Sequence, residues 1–175
     1  MKLLACPKCH QQLHLENKTL KCENNHCYDI SKRGYINLLL NPDKATNNPG
    51  DSKESLVARK AYLNKGYYDP ILNQVITCID EFKHQDDLSI LDLGCGEGYY
   101  TQGLKKHFEN SDIYGLDISK IAIDMATRYR KDVTWLVGNS KNIPILDHSL
   151  DFICALFTVV NQDELKRALK EDGYI

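Results

Sequence analysis

The sequence has no hydrophobic run near the ~18 residues that cross a bilayer, and its first residues are too short an apolar stretch for a signal peptide. We therefore expect no membrane partner. The formal net charge is only −2, so global charge does not mark the 175-residue chain as a polyanion-binding protein. The seven cysteines are an odd number with no secretory signal beside them, which favours a reducing cytoplasm over a disulfide framework.

The small net charge is unevenly distributed. Residues 1–50 contain seven Lys and Arg against four Asp and Glu, a net charge of +3, and the remaining residues carry −5. A basic N-terminal segment on an acidic body is compatible with a polyanionic partner, although a solvated surface would look the same.

The main motif of the chain is a glycine loop between a predicted strand and a predicted helix. An apolar run over 88–93 is typical of a strand buried on both faces, and glycine then occupies positions 94, 96 and 98. A helical pattern over 99–108 follows. Glycines allow a ligand close to the backbone, and a helix N-terminus offers free N–H groups. This order predicts a nucleotide-type cofactor site.

The loop lacks the third glycine of a dinucleotide fingerprint, because Tyr99 stands there. Asp92 precedes the loop, and Asp117 ends the next predicted strand, where a carboxylate can accept both ribose hydroxyls. The pattern D-x-G-x-G-x-G followed by an acidic strand end resembles the class I S-adenosylmethionine (SAM) methyltransferases. An NAD-dependent oxidoreductase remains a less favoured alternative.

A second motif lies near the N-terminus, where the spacing C-x2-C-x12-C-x3-H brings Cys6, Cys9, Cys22 and His26 together. These residue types at this spacing suit a tetrahedral structural zinc site. Cys27, beside His26, is an alternative fourth ligand, and reduced cysteines in a small β-hairpin are the alternative to a metal site. Metal binding would supply folding energy to a segment too small for its own core.

Together these motifs resemble the 23S rRNA (guanine-N1)-methyltransferases of the RlmA type. The segments that carry the resemblance are Cys6-Pro7-Lys8-Cys9-His10, Cys22 to Asp29, Lys32 to Leu39, Pro49 to Ser52, Ala58 to Leu63, Gly66-Tyr67-Tyr68, Gly94 to Thr101 and Leu116 to Lys120. The resemblance implies SAM-dependent methyl transfer to N1 of a guanine in 23S rRNA, and it assigns zinc to Cys6, Cys9, Cys22 and His26. The Watson–Crick edge is hidden in a duplex, so the expected target is a hairpin loop. A homodimer is a candidate assembly.

The loop pattern and the resemblance define a set of candidate site residues. Those expected at the cofactor are Tyr68, Asp92, Gly94, Gly96, Glu97, Gly98, Asp117, Ile118, Asn139 and Ser140. Asn139 stands where this fold commonly has an adenine-reading Asp. The segment from Thr158 to Asn161 departs from the proline-containing segment of the family. The catalytic base is unassigned, with Asn161 and Asp163 as weak candidates.

The predicted fold is α/β: a Rossmann-like class I SAM-dependent methyltransferase sheet with a small N-terminal zinc-binding β module. We expect a zinc-binding RNA-recognition module at 1–40, a linker at 41–51, a helical connector at 52–83 and a SAM-binding domain at 84–175. Predicted strands lie near 88–93, 113–117, 133–138 and 152–157, followed by a helix at 163–170 and a fifth strand beginning at Gly173.

We expect this sheet to be incomplete and truncated at the C-terminus, with its fourth strand as an exposed edge. A non-catalytic zinc- and RNA-binding fragment that retains SAM binding is therefore a further alternative to an active enzyme.

Overall fold

The computed structural model describes residues 1–40 and 50–175, so most of the predicted linker at 41–51 lies outside the described residues. The strands are β1 (His14–Glu16), β2 (Thr19–Lys21), β3 (Cys27–Asp29), β4 (Ile36–Asn37), β5 (Ser89–Leu93), β6 (Asp112–Asp117), β7 (Thr134–Val137), β8 (Leu150–Cys154) and β9 (Leu169–Tyr174). The helices are α1 (Lys53–Leu63), α2 (Asp69–Phe82), α3 (Tyr99–His107), α4 (Lys120–Ala126) and α5 (Gln162–Ala168). Over the described ranges, no helix combines the length and hydropathy that crossing a membrane requires.

The centre of the fold is a six-stranded sheet in the order β4-β7-β6-β5-β8-β9, and its strand pairs are parallel. The five strands from β7 to β9 have the order 3-2-1-4-5 of a class I methyltransferase sheet. The first three strands run close to the predicted ranges. The predicted α/β class and Rossmann-like sheet are confirmed.

The end of the described chain differs from the expectation. Helix α5 ends at Ala168, two residues before the predicted end, and β9 begins at Leu169 rather than near Gly173. Leu169 pairs with Leu150, and Tyr174 pairs with Phe152, across a register shift. The prediction that the fourth strand is an exposed edge is therefore wrong, because β9 covers β8. The sequence did not indicate the full extent of β9, because most of its residues are polar and only Leu169 is buried.

The other edge of the sheet carries a strand that the sequence did not predict. Ile36 and Asn37 of β4 pair in parallel with Leu136 and Val137 of β7. The segment that holds the Cys/His motif, which forms the separate three-stranded sheet β1-β2-β3, is thereby joined to the main sheet.

One face of the main sheet is covered by residues 1–40 together with α5. Leu4, Leu13 and Leu20 from the N-terminal segment lie in the same buried cluster as the inward side chains of β5, β6, β7 and β8, and α5 adds Leu165 and Ala168. Helices α2, α3 and α4 cover the opposite face, where the alternate side chains of the same strands are buried. Both faces are thus shielded from water, as a parallel sheet requires.

The shared cluster predicts that a mutation in the N-terminal segment destabilises the sheet. Leu20 is 1% exposed, and the Leu20→Ala cavity should lower the free energy of unfolding by about 2–5 kcal/mol. Trp135, the single tryptophan, lies in β7, so its fluorescence in a urea titration reports on the sheet.

Leu15→Ala is the matched control, because Leu15 is the cross-strand partner of Leu20 but is 50% exposed. We expect the control to change stability by less than about 0.5 kcal/mol. An unchanged Trp135 transition in Leu20→Ala would show that the N-terminal segment unfolds independently.

Candidate cofactor cleft and metal centre

The glycine loop after β5 has a backbone conformation and close contacts that disfavour any residue with a side chain. Gly94, Gly96 and Gly98 have φ of 74°, 56° and 88°, in the left-handed region that favours glycine. A Cβ on Gly94 would lie 2.5 Å from Cβ of Thr158, and one on Gly98 would lie 2.6 Å from the Trp135 ring. The loop therefore packs closely against Thr158 and Trp135. Helix α3 begins at Tyr99, so its N-terminus lies at the loop.

Asp117, at the end of β6, holds this loop in place through hydrogen bonds to backbone N–H groups. One carboxylate oxygen accepts a hydrogen bond from the Gly96 N–H at 2.9 Å, and the other accepts from the Ser119 N–H at 2.7 Å. Burial raises the pKa of Asp117 despite these two bonds. Each oxygen retains acceptor capacity, since a carboxylate has about four lone-pair sites.

Asp92 is a buried carboxylate one residue before the end of β5. It is 2% exposed, and it accepts a hydrogen bond at 2.5 Å from the Thr101 hydroxyl of α3. Burial, reinforced by the nearby charges of Asp117 and Glu97, raises the pKa of Asp92 to about 7. A cation placed beside it would restore the charged form.

The cofactor cleft, of about 230 Å³, opens above this loop. Its lining comprises Arg59, Tyr62, Leu63, Tyr68, Asp92, Gly94, Cys95, Gly96, Glu97, Tyr99, Tyr100, Leu156 and Phe157. The Glu97 Oε1 atom and the Tyr100 hydroxyl are buried, and the described residues offer neither a hydrogen bond. Buried polar atoms are normally satisfied. The cleft therefore fits a polar, partly cationic ligand such as the methionine end of SAM.

The structure brings five of the predicted cofactor residues to the lining of this cleft: Tyr68, Asp92, Gly94, Gly96 and Glu97. Gly98 and Asp117 lie in or directly beneath the loop, and Ile118 packs on the core behind it. Asn139 and Ser140 follow β7, and the Asn139 side-chain oxygen accepts from the Lys141 N–H at 3.0 Å.

Other lining residues were not predicted as cofactor residues. Arg59 of α1 reaches the cleft and forms a 2.8 Å ion pair with Asp51. Phe157 has a φ of 56°, is 81% exposed and meets Tyr68 edge-on with ring centroids 6.2 Å apart. A left-handed phenylalanine beside a cleft is a backbone outlier typical of functional sites. No local sequence pattern signals it.

The weak candidates for the catalytic base lie elsewhere. Asn161 is the N-cap of α5, and its side-chain oxygen accepts from the Asp163 N–H at 3.1 Å. Asp163 is exposed in the first turn of that helix. Neither residue belongs to the described lining of the cleft.

The predicted metal ligands converge on one point. The ligand atoms of Cys6, Cys9, Cys22 and His26 all lie within 4.8 Å of one another. The His26 Nδ1 atom is 3.4–3.5 Å from the three sulfur atoms, and the Cys9 and Cys22 sulfurs are 3.7 Å apart. A tetrahedron with Zn–S bonds of about 2.3 Å has edges of about 3.8 Å, so the geometry fits zinc.

Cys27 is excluded from this cluster. It is exposed, and its sulfur lies 3.4 Å from the Asn25 carbonyl oxygen. The Tyr28 hydroxyl lies 3.3 Å from the Cys6 sulfur, where it can donate to a thiolate. Such outer hydrogen bonds orient metal ligands.

Comparisons with known proteins match the two halves of this arrangement separately. Residues 4–45 match the family model described as "RlmA, N-terminal", and residues 90–173 match a "Methyltransferase domain" model. The chain joins an RlmA-type zinc ribbon to a methyltransferase domain. The Cys/His cluster and the glycine loop fall within the two matched ranges, so the predicted combination of an RlmA-type N-terminal module with a methyltransferase domain is confirmed.

Similar individual proteins agree with these matches. The 23S rRNA (guanine(748)-N(1))-methyltransferase of Streptomyces fradiae is 29% identical over 99% of this chain and 61% of its own length. YxjB of Bacillus subtilis, assigned as a 23S rRNA (guanine-N1)-methyltransferase, is 30% identical over 99% of this chain and 62% of its own. The chain thus spans about three fifths of the length of these relatives.

A solved structure from Methanococcus maripaludis, assigned as a SAM-dependent methyltransferase, supports the fold. It superimposes with a TM-score of 0.60 at 23% identity and covers 74% of this chain and 64% of its own.

The cluster geometry predicts which cysteine substitutions release metal. Cys22→Ser removes one of four ligands and should abolish stoichiometric zinc, whereas Cys27→Ser, its exposed neighbour, should retain one zinc per chain. Elemental analysis of protein purified without chelators measures both. Zinc loss in Cys27→Ser would contradict the assignment.

The buried Asp92 predicts a pH dependence of stability. The folded carboxyl keeps its proton up to a pKa of about 7, and the unfolded one up to about 4, so unfolding releases a proton between these values. Asp92 therefore costs stability increasingly as the pH rises from about 4 to 7. Asp92→Asn should gain stability relative to the parent over this range, by roughly 1–4 kcal/mol.

Urea titrations of the parent and Asp92→Asn at several pH values measure this difference. Asp112→Asn is a suitable control, because Asp112 is exposed at the start of β6. A parent-to-variant difference that does not change with pH would contradict the buried carboxyl's role.

Proposed function

We propose that this protein transfers the methyl group of SAM to N1 of a guanine in 23S rRNA. The observation that carries the proposal is the glycine loop with the carboxylates of Asp92 and Asp117 beside it, in a chain whose N-terminal segment matches the RlmA ribbon. The two named relatives are described as methyltransferases of guanine N1 in 23S rRNA, and each aligns with 99% of this chain.

The proposed cofactor position follows the loop. The ribose hydroxyls bind Asp117, whose oxygens hold the Gly96 and Ser119 N–H groups but retain acceptor capacity. The adenine lies towards Ile118, Asn139 and Ser140. SAM, when bound, supplies a methyl group on a sulfonium leaving group, so that positioning contributes much of the rate.

The cationic methionine end is placed in the cleft. Asp92 and Glu97 face it with buried carboxylates, and the Glu97 Oε1 atom has no partner among the described residues. Tyr68 and Phe157, in edge-to-face contact, cover the cleft and exclude water. The residues of the chain therefore bind and orient the cofactor.

The proposed substrate is an rRNA hairpin loop, because guanine N1 is accessible only in an unpaired base. Residues 1–40 contribute RNA recognition, and Cys6, Cys9, Cys22 and His26 hold a structural zinc ion. Such a reaction places the protein in the cytoplasm, and a homodimer is the proposed assembly.

The test is methylation of unmodified 23S rRNA with labelled SAM, followed by mapping of the modified nucleotide. We expect one methylated guanine N1. Calorimetry should show binding of SAM and not of NADH, and Asp117→Ala should weaken SAM binding by about 1–3 kcal/mol, because charge-assisted hydrogen bonds are lost.

Asp112→Ala provides the matched control, since Asp112 begins the strand that Asp117 ends but is exposed at its opposite end. Its affinity for SAM should equal that of the parent. Unimpaired SAM binding by Asp117→Ala would refute the cofactor position, and label on another base or atom would refute the reaction.

A further inference from the structure

A second cleft, of about 430 Å³, has a lining dominated by cations. It contains Lys18, Lys32, Arg33, Arg130 and Lys131, together with Ile30, Ser31, Gly34, Val133 and Trp135. The described lining includes no carboxylate. Since the whole chain carries a net charge of −2, this concentration of positive charge is not a consequence of composition.

Two distant parts of the chain form this basic cleft. Lys18, Lys32 and Arg33 belong to the N-terminal segment, whereas Arg130 and Lys131 lie between α4 and β7. The pairing of β4 with β7 brings the two parts together, because only two residues separate Lys32-Arg33 from β4 and Arg130-Lys131 from β7. The cleft therefore exists only when the zinc ribbon is docked on the sheet.

The two arginines of the basic cleft are paired with aspartate side chains, whereas its lysines are available to bind an anion. Arg33 forms a 2.8 Å ion pair with Asp124, and Arg130 contacts both oxygens of Asp132 at 2.9 and 2.7 Å.

In contrast, Lys18, Lys32 and Lys131 are exposed, and within the described part of the chain none has a carboxylate within 4.0 Å. An anion entering the cleft would meet three uncompensated ammonium groups.

The position of the basic cleft separates it from the cofactor. Most of the residues that line it lie shortly before β4 or β7, so the basic cleft lies near the amino ends of these two strands. The glycine loop, in contrast, follows the carboxyl end of β5. A five-residue strand is about 16 Å long. A substitution in the basic cleft can thus change RNA binding without touching the cofactor cleft.

We propose that the basic cleft binds the phosphate backbone of the RNA substrate at a distance from the methylated base. This proposal rests on the proposed function for the identity of the substrate. Lysines neutralise phosphates as point charges and release counterions, which supplies sequence-independent affinity. The cleft is concave, which suits a nucleic-acid backbone better than a bilayer surface. The cleft anchors the stem, and the target base is presented elsewhere.

The experiment compares the parent with the double variant Lys32→Glu/Lys131→Glu by fluorescence anisotropy, using a labelled RNA hairpin. The loss of two phosphate contacts should weaken binding by roughly 10- to 100-fold at about 0.1 M salt and reduce the slope of log K against log salt by about 2. SAM affinity and zinc content should remain those of the parent, because both sites lie outside the cleft.

Lys106→Glu/Lys166→Glu is the matched control, with the same change in charge at exposed lysines of α3 and α5. It should bind RNA within about threefold of the parent, since a net-charge effect is screened at this salt.

Equal losses in both double variants would overturn the proposal, and so would a parent that does not bind the hairpin. Equal binding of duplex DNA or anionic vesicles, with the same sensitivity to the cleft variant, would overturn the assignment to RNA. Cleft-dependent RNA binding without methylation would instead refute the proposed function and leave the cleft assignment standing.

Discussion

A parallel sheet must be covered on both faces, and this requirement accounts for the architecture of the protein. Helices α2, α3 and α4 cover one face, but α5 is too short to cover the other alone. The zinc ribbon supplies the remaining apolar surface through Leu4, Leu13 and Leu20. The metal centre thereby supports the methyltransferase sheet as well as its own three strands.

The ribbon also contacts the cofactor end of the sheet. The Ala5 N–H donates to the Pro144 carbonyl at 3.0 Å, and the Asn142 side chain donates to the Pro7 carbonyl at 2.8 Å. Pro7 lies between the ligands Cys6 and Cys9, and Asn142 belongs to the turn that begins at Asn139. The metal knuckle and the proposed adenine-side turn are thus direct neighbours.

The sequence predicted the features that are encoded locally. Glycines at fixed intervals, Asp117 at a strand end and the spacing of Cys6, Cys9, Cys22 and His26 are each readable within a short window, and the structure brings each set together. The sequence did not reveal β4, because a two-residue strand has no periodicity. Strand β9 was predicted four residues late, because its exposed side chains are polar.

Features that depend on tertiary structure were not predictable for a different reason. Arg59 and Phe157 reach the cofactor cleft from segments nearly a hundred residues apart, and neither belongs to a local motif. The lysines of the basic cleft are also far apart in the sequence, so no run of basic residues indicated a basic site. Only the burial of Asp92 and Asp117 could show that these carboxylates have raised pKa values.

The pairing of β4 with β7 has a consequence for synthesis on the ribosome. β4 is made about a hundred residues before its partner, which at roughly 5–20 residues per second corresponds to a delay of about 5–20 seconds. During this interval the apolar surface of Leu4, Leu13 and Leu20 has no sheet to cover it. Early capture of zinc would hold the ribbon in a docking-competent form, so intracellular zinc supply should influence how much of the nascent protein folds rather than aggregates.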